Sequence, residues 1–466
     1  MTSRPSIGFE SFPRNTLATT EVAADFPFQK WSFFNMFESI KNGAPMVLAV
    51  ACVMALAAPL PVVAQLTEVV VVPGQQCRGI GINNQAFVVG ACADTDGTTL
   101  AFLATGAQKS ILPGLALGRS CSAGVITNLG KIVGSCVDSN LVSQAVVWNT
   151  GGSPIAQRLM PLPNGKSTSA TAFNQEGVVA GVSRDGSFLA QPAVWLNSAT
   201  ATALPVGLLG LSDTNCVPVD VSDGSSSGPT VIANCPDRSG GIRPIYWTRT
   251  GLFNAYVAQA LPLPLEAKRC RVSSIKGSHV LGVCNLSNGA GYRTVVWTNF
   301  RSTVVLSIDV GGRSASNGGI EINASGEVVG EFAVPDGGVQ SFYWNSEADD
   351  FAYISPLPGG EDVSVVGIGT NAVVVGISQT DAGVNHAFSW TRSNGMSDLG
   401  SLPGGENSDV SDQSDSGCFV TGASEAGSAD INRAYVANLC TERSVDRATR
   451  GHLSSLSVRA SYRRHP

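Results

Sequence analysis

The stretch from Val363 to Gly405, VSVVGIGTNAVVVGISQTDAGVNHAFSWTRSNGMSDLGSLPGG, contains one complete repeating unit of this chain. A first apolar segment leads into a turn, and an apolar triplet after the turn ends at Gly376. A third segment ends at Trp390, and a fourth runs into a Leu-Pro step. Short apolar runs bounded by Gly, Pro, Asn and Asp are typical of β-strands joined by turns. The stretch therefore predicts a sheet of four short strands.

The same unit recurs eight times at intervals of about 47 residues, which is the length of a propeller blade. The position of the triplet glycine is occupied by Gly90, Gly134, Gly181, Ala233, Gly282, Gly330, Gly376 and Gly422. No segment has a convincing helical period. The sequence thus predicts an all-β protein, a β-propeller of eight four-stranded blades. A seven-bladed ring with one degenerate terminal unit is the alternative.

The last unit lacks its fourth strand, because nothing after Cys440 resembles the MSDLGSLPGG of the preceding unit. The segment LTEVVVVPGQQ, from Leu66 to Gln76, has the missing pattern of alternating apolar residues followed by Pro-Gly. A propeller must join its first and last blades, or it exposes a strand edge. We therefore predict that Leu66 to Val72 pairs beside the final blade and closes the ring.

The seventh unit resembles a known family through NHAFSW, which contains His386, Ala387 and Phe388. This triplet is similar to the one that names the extracellular HAF-repeat family, and the resemblance extends over residues 75–438. It is diluted in the other units, which lack the histidine. The resemblance implies a secreted, propeller-like protein with no established chemistry.

Residues 46–58, MVLAVACVMALAA, form an apolar run of thirteen residues that is too short to span about 30 Å of hydrocarbon as a helix. The run is typical of a secretory signal, and small residues before Gln65 suit cleavage near Ala64. We predict a leader and signal peptide in residues 1–64, starting at Met1 or Met36, and a secreted or periplasmic mature chain without a membrane span. An uncleaved membrane anchor is the alternative.

The two remaining regions differ in charge. Residues 441–466 contain six arginines against two acidic residues, a net charge of +4, and are predicted to form a basic disordered tail. Residues 1–64 are balanced and the whole chain carries −6, so residues 65–440, the predicted propeller, carry −10.

Ten cysteines remain after the predicted cleavage, an even number suited to an oxidising compartment. Paired cysteines at equal distances from a hairpin turn face each other across the two strands, close enough for a disulfide. The spacing predicts the pairs Cys77–Cys92, Cys121–Cys136, Cys216–Cys235, Cys270–Cys284 and Cys418–Cys440.

Six of the eight units carry a tryptophan fourteen or fifteen residues after the triplet glycine: Trp148, Trp195, Trp247, Trp297, Trp344 and Trp390. The first and last units carry Ala104 and Ala437 instead, as expected of atypical terminal repeats. A regular position behind an apolar strand predicts one buried aromatic layer per blade. A sugar-stacking surface is the alternative.

The search for catalytic and metal-binding patterns produces few candidates. His279 and His386 lie in different units, and no Cys-x-x-Cys or His-x-x-x-His pair occurs, so a zinc site is not expected. Asp94 and Asp96 resemble the start of a calcium loop but lack its later acidic ligand, which favours an ordinary turn. We predict no metal, no cofactor and no catalytic residue, and a packing or solvent-facing role for His386.

Two acidic pairs, Asp349 with Asp350 and Asp412 with Asp415, are predicted to be solvated loop charges rather than ligands.

Charged residues make up only 14% of the chain, against about 25% in ordinary soluble domains, so binding to nucleic acid through a basic face is not expected. A regular scaffold without a catalytic constellation favours function in its loops. The preferred interpretation is a secreted, monomeric, non-enzymatic scaffold that binds a protein or glycan through its blade loops. The alternative is a polysaccharide-acting hydrolase or lyase with carboxylates from separate blades at the channel.

Overall fold

The computed structural model of the chain describes residues 64–440, apart from short gaps. The gaps are 107, 188, 197–198, 208–210, 212–214, 225–227, 238–240, 251–254, 266, 287–290, 311–312, 335–337 and 428–430. The described residues form eight four-stranded antiparallel sheets in a ring, so the predicted eight-bladed propeller is confirmed. The predicted leader up to residue 63 and the predicted tail lie outside the described residues.

The strands of the first four blades follow β1 (Thr67–Glu68), which belongs to the last blade. They are β2 (Cys77–Ile82), β3 (Phe87–Ala93), β4 (Thr99–Thr105) and β5 (Gln108–Ile111) in blade 1; β6 (Cys121–Ile126), β7 (Lys131–Val137), β8 (Ser143–Asn149) and β9 (Gln157–Arg158) in blade 2; β10 (Ser167–Phe173), β11 (Val179–Arg184), β12 (Ala190–Trp195) and β13 (Thr202–Ala203) in blade 3; and β14 (Val217–Val221), β15 (Val231–Pro236), β16 (Ile242–Thr250) and β17 (Ala255–Ala260) in blade 4.

The strands of the other four blades follow the same order, with an additional hairpin between blades 5 and 6. They are β18 (Ala267–Lys276), β19 (His279–Leu286), β20 (Tyr292–Thr298) and β21 (Ser302–Val305) in blade 5; β22 (Ile308–Val310) and β23 (Arg313–Ala315) in the hairpin; β24 (Asn317–Ile322), β25 (Glu327–Ala333), β26 (Val339–Asn345) and β27 (Asp350–Ile354) in blade 6; β28 (Val363–Ile368), β29 (Val374–Gln379), β30 (Asn385–Thr391) and β31 (Gly395–Asp398) in blade 7; and β32 (Ser408–Gln413), β33 (Phe419–Ala426) and β34 (Ile431–Asn438) in blade 8.

The first strand of each blade lies innermost, and the first strands of most neighbouring blades contact one another around the centre. The triplet glycine lies opposite this strand because no side chain fits there. A Cβ added at Gly282 would lie 2.2 Å from the carbonyl oxygen of Arg271 and 2.9 Å from the ring of Trp297. The repeating glycine therefore allows the inner strand and the tryptophan to pack on the same backbone.

The ring closes through β1, as predicted. Thr67 pairs with Val436 and Glu68 with Tyr435, and the Val69 amide donates to the Ala434 carbonyl at 2.8 Å. The order β1-β34-β33-β32 makes the amino-terminal strand the outermost strand of blade 8. The pairing is shorter than the predicted segment, since only Thr67 and Glu68 form a strand.

The six repeated tryptophans lie in the core, with exposed fractions of 0–1% for five of them and 6% for Trp390. Four of them also join one blade to the connection from the blade before it. The indole Nε1 of Trp148, Trp195, Trp247 and Trp297 donates to the carbonyl oxygens of Pro113, Met160, Pro205 and Pro262, respectively. The predicted aromatic layer is thus also a hydrogen-bonded joint between blades.

All five predicted disulfides are present, with separations between paired Cα atoms of 4.0–5.0 Å. Four join the first two strands of a blade. Cys418–Cys440 is different, because it joins the turn after β32 to the residues just beyond β34. Disulfides suit an extracellular or periplasmic protein. Among residues 64–440, no helix is long and apolar enough to cross a membrane.

Candidate functional site at the channel mouth

A cavity of about 660 Å³ lies at the centre of the ring, at the end where the eight innermost strands turn back into their second strands. Residues from all eight blades line it. We call this region the channel mouth. Each innermost strand contains a β-bulge close to this end, and a bulge re-aims the side chains that follow it.

The residues directly after the eight bulges occupy equivalent positions around the ring. They are, from blade 1 to blade 8, Gly81, Val125, Ala172, Asp220, Ser274, Glu321, Gly367 and Asp412. Three of these positions carry a carboxylate and one a hydroxyl. Polar chemistry is therefore concentrated in blades 4, 5, 6 and 8.

Asp220 and Glu321 share one hydroxyl group. Ser274 Oγ lies 3.2 Å from Asp220 Oδ2 and 2.7 Å from Glu321 Oε1. A hydroxyl has one proton to donate, so both contacts are hydrogen bonds only when one carboxyl is protonated. Burial raises the pKa of Asp220 to about 6, against the opposing effects of Lys276 and of the hydrogen bond donated by the Ile275 amide. The three side chains can thus hold a shared proton near neutral pH.

Asp412 occupies the equivalent position in blade 8. Its Oδ2 accepts a hydrogen bond from the Ile82 amide of blade 1 at 2.9 Å, just as Asp220 accepts from blade 5. Burial nevertheless raises the pKa of Asp412 to about 7, and it also raises the pKa of the nearby Asp415. Both side chains keep some surface open to the channel. At neutral pH the carboxyl group of Asp412 is therefore only partly ionised.

Lys276 is the single cation of the channel mouth. The other blades place Asn83, Thr127, Asn174, Ser222, Asn323, Gly369 and Ser414 at its position, at the start of the turn. Burial opposes its charge, but the carboxylates of Glu321 and Asp220 outweigh burial and raise the pKa of Lys276 above its usual range. Within the described residues its ammonium forms no ion pair within 4.0 Å. Several carboxylates together stabilise the positive charge of Lys276, rather than one ion-pair partner.

The channel mouth also contains polar atoms without a partner. Ser411 Oγ and Gln413 Oε1 are buried and accept or donate no hydrogen bond within the described part of the chain, and both residues line the cavity. A buried polar atom without a hydrogen bond costs about 1–3 kcal/mol. Burial raises the pKa values of the Asp220 and Asp412 carboxyls, and a ligand that brings a positive charge would stabilise their ionised forms.

The turns around the cavity form two different rims. In what we call the closed rim, side chains accept hydrogen bonds from the backbone of the neighbouring turn: Asp223 from Gln175, Gln175 from Asn128, Asn128 from Asn84, and Asn84 from Ser416. This chain connects blades 4, 3, 2, 1 and 8. Blades 5, 6 and 7 form the open rim, with Gly277, Ala324 and Thr370 at the turn position of Asn84. Glycine and alanine offer no side-chain acceptor to continue the chain.

Of the two acidic pairs that the sequence predicts to be solvated, Asp349 and Asp350 are exposed, whereas the other pair is not at the surface of a loop. Asp412 and Asp415 line the cavity, so the prediction that they are solvated loop charges is wrong. Asp350 forms an exposed ion pair with Arg392 at 3.1 Å, and the Asp349 carboxylate accepts a hydrogen bond from Trp344.

Asp94 and Asp96 lie together in the turn between β3 and β4, away from the channel mouth. There both accept backbone hydrogen bonds, Asp94 from Thr95 and Asp96 from Thr98.

The two histidines also lie away from the channel. His386 Nδ1 contacts the Asp398 carboxylate at 2.9 Å, and its Nε2 contacts the Glu406 carbonyl oxygen at 3.0 Å. It therefore ties two segments of the blade 7 region together. His279 is buried and contacts Glu347 of blade 6 at 3.0 Å.

Two signals were missed in the sequence. Lys276 breaks a repeat position that otherwise holds a small residue, so an alignment of the units by their turns could have exposed it. Gly224 to Gly228 match the letters G-x-S-x-G of a nucleophile elbow, but the segment joins strands β14 and β15, whereas the elbow joins a strand to a helix.

No family model and no curated protein matches the chain. Solved structures are similar to it at low identity. The propeller domain of the trilobed protease of Pyrococcus furiosus shares 10% identity with a TM-score of 0.45, over 72% of this chain and 97% of that one. A post-proline cleaving enzyme of Rickettsia typhi shares 10% identity with a TM-score of 0.47, over 78% of this chain and 58% of the enzyme. A prolyl endopeptidase shares 10% identity with a TM-score of 0.49, over 70% of this chain and 49% of that one.

The expectation of a non-enzymatic scaffold is contradicted by these neighbours, because they are propellers of peptidases. The converging carboxylates that the alternative of a polysaccharide-acting enzyme requires are present at the channel mouth. At such low identity the likeness shows the propeller fold, and it assigns no activity. The chain spans about half to three fifths of the length of the two enzyme matches.

Proposed function

We propose that this protein is peptidase-related and handles peptides by receiving a peptide's amino-terminal ammonium group in the channel mouth. The observation that carries the proposal is the set of carboxyls around the cavity, with the pKa of Asp220 raised to about 6 and that of Asp412 to about 7. Burial raises both pKa values because it destabilises the ionised carboxylates, and Lys276 offsets this effect only in part. An entering ammonium group adds a second positive charge that stabilises the ionised forms.

A peptide suits the site better than a simple cation because the channel mouth offers hydrogen-bond acceptors for an ammonium group and also a hydrogen-bond donor for a carbonyl oxygen. The carboxylates of Glu321 and Asp412 accept hydrogen bonds from an ammonium group. The Lys276 ammonium, without a close partner of its own, can donate to a peptide carbonyl oxygen. A cavity of about 660 Å³ has room for a few residues.

Binding is coupled to pH in a definite direction. Below pH 5 the carboxyls of Asp220 and Asp412 are protonated and attract the ligand weakly. Affinity rises as the pH passes through about 6 and 7, and binding in this range releases protons because the ligand's charge lowers both pKa values. Calorimetric titration at pH 6.5 in two buffers of different ionisation enthalpy should therefore show proton release.

The direct test uses the tetrapeptide Ala-Ala-Phe-Gly with a fluorophore at its carboxyl end, and its amino-acetylated twin. Fluorescence anisotropy at pH 7.5 should show about tenfold weaker binding of the acetylated peptide. Glu321→Gln and Asp412→Asn should each weaken binding of the free peptide by about tenfold, which is about 1.4 kcal/mol.

Asp350→Asn is the matched control, because Asp350 is an exposed carboxylate of blade 6 that pairs with Arg392 away from the channel. Its affinity should equal that of the parent chain. Equal binding of the free and acetylated peptides would contradict the proposal. Mass spectrometry of the same incubations shows whether the peptide is also hydrolysed.

The proposal places this site outside the cytoplasm. The five disulfides suit an oxidising compartment. We propose that the apolar run at residues 46–58 directs export, with cleavage near Ala64. Amino-terminal sequencing of the secreted or periplasmic protein tests this; a start at Gln65 is the expected result.

A further inference from the structure

The described chain ends beside the channel mouth. Cys440 is bonded to Cys418, which lies in the turn that follows β32, and its Sγ lies 3.7 Å from the side-chain nitrogen of Asn371 in the corresponding turn of blade 7. Asp415, which lines the cavity, belongs to the same turn as Cys418. The disulfide thus anchors the start of the tail at the rim of the cavity.

The tail leaves next to the open rim. Asn371 directly follows Thr370, whose backbone amide donates to the Asp415 carbonyl oxygen at 2.9 Å. Among the described residues of blades 5, 6 and 7, no side chain at the turn position accepts a hydrogen bond from the backbone of the neighbouring turn, as the closed-rim side chains do. A segment that approaches from Cys440 therefore reaches the cavity over Ala324 and Gly277, which present almost no side chain. Cys440, after which the predicted tail begins, therefore lies on the same side of the cavity as the open rim.

The charges of the tail and the cavity are complementary. Residues 457–466, SVRASYRRHP, contain three arginines and no acidic residue, whereas the arginines of residues 441–450 are offset by Glu442 and Asp446. The cavity wall contains the carboxyls of Asp220, Glu321, Asp412 and Asp415 against the single ammonium of Lys276. Guanidinium groups pair with carboxylates in a bidentate geometry that an ammonium cannot match.

The length of the tail allows this encounter. About twenty residues separate Cys440 from the first arginine of the segment, and a chain of that length can reach at most about 65 Å. A tethered segment with such a span experiences a millimolar effective concentration at a nearby site. Even modest intrinsic affinity then produces substantial occupancy.

We infer that residues 457–466 of this chain dock in the channel mouth and compete there with the peptide ligand. The competition rests on the proposed function, whereas the docking rests only on the cavity, its charges and the anchored tail. Displacement of the tail by salt follows, because the attraction between exposed charges is screened.

The test compares two charge variants of the full chain. The far variant, R459Q/R463Q/R464Q, should bind the labelled Ala-Ala-Phe-Gly about five- to tenfold more tightly than the parent at 50 mM salt. The near variant, R443Q/R447Q/R450Q, removes the same number of arginines and should bind like the parent. At 500 mM salt the parent and the far variant should converge.

An added peptide separates docking from competition. Labelled SVRASYRRHP should bind the far variant and displace Ala-Ala-Phe-Gly, and E321Q/D412N introduced into the far variant should weaken its binding by at least tenfold. If no variant binds Ala-Ala-Phe-Gly but SVRASYRRHP still binds in this carboxylate-dependent way, the proposed function fails and the docking stands. If the parent, near and far variants bind Ala-Ala-Phe-Gly equally, or if SVRASYRRHP binds regardless of E321Q/D412N, the inference is overturned.

Discussion

The closed rim and the open rim of the channel mouth are made from the same repeating unit and nevertheless differ in their hydrogen bonding. Asn84, Asn128, Gln175 and Asp223 bind the closed rim into a continuous hydrogen-bonded arc. At the same turn position the open rim has Gly277, Ala324 and Thr370. The propeller core tolerates either choice, because these turns lie outside the packed layers of the blades.

The comparison teaches that the repeat pattern and the site obey different constraints. The triplet glycine and the tryptophan recur because they pack against other residues of their own blade and against the connection from the blade before it. The residue at the turn position varies from blade to blade. Its side chain determines whether the blade belongs to the hydrogen-bonded closed rim or to the open rim. The residue before the turn position varies as well, since Lys276 lies at the position that holds Asn83 in blade 1 and small or polar residues in the other blades.

The largest expected effect tests whether the blades of the open rim and those of the closed rim depend equally on their buried tryptophans. Trp297→Ala in blade 5 and Trp148→Ala in blade 2 should each lower the free energy of unfolding by about 3–5 kcal/mol, because both side chains are completely buried and both indoles hydrogen-bond the preceding connection. Urea unfolding followed by tryptophan fluorescence and circular dichroism measures both. A loss below about 1 kcal/mol at only one of the two positions would show that the halves are held together differently.

A smaller effect tests the difference between the rims themselves. The Asn128 side chain accepts a hydrogen bond from the Asn84 amide and donates one to Asp415, so Asn128→Ala should cost about 1–2 kcal/mol of unfolding free energy. Thr370→Ala in the open rim should change stability by less than about 0.5 kcal/mol, because Thr370 is exposed. Equal losses at the two positions would remove the distinction between a closed and an open rim.

The smallest effect concerns the ionisation of Asp412 in the channel mouth. The pKa of Asp412 is about 7 in the folded protein and near 4 in an unfolded chain, so its ionisation destabilises the fold progressively between pH 4 and pH 7. Asp412→Asn should therefore be more stable than the parent above pH 7, by on the order of 1 kcal/mol after screening by channel water, and equally stable at pH 4.

Asp350→Asn is the control for this pH dependence, and its effect on stability should have the opposite sign. Its pair with Arg392 lowers the pKa of Asp350, so its charge stabilises the fold above pH 4 and this contribution is lost on acidification. The variant should be slightly less stable than the parent at pH 8. Thermal unfolding of both variants between pH 4 and pH 8 makes the comparison, and curves of the same sign would refute it.

Most of the architecture was predictable because its determinants are close together in the chain. Two cysteines that face each other across a hairpin have the same distance from the turn, so Cys77–Cys92 and Cys270–Cys284 could be paired from spacing alone. The closing strand was predictable for a similar reason, since a missing fourth strand at one end matched an unassigned strand at the other. The length of that strand was overestimated, because Thr67 and Glu68 pair with β34 and beyond them the Val69 amide adds one hydrogen bond to Ala434.

The channel mouth could not be predicted in the same way. Asp220, Ser274, Glu321 and Asp412 come from four blades and have no common local motif, so each one taken alone resembles an ordinary loop charge. The sequence by itself determined the blades, their number and their cross-links, because repeated packing leaves a periodic pattern. Only the tertiary structure decided which side chains share the cavity and how strongly their pKa values shift, because burial and charge proximity depend on the closure of the ring.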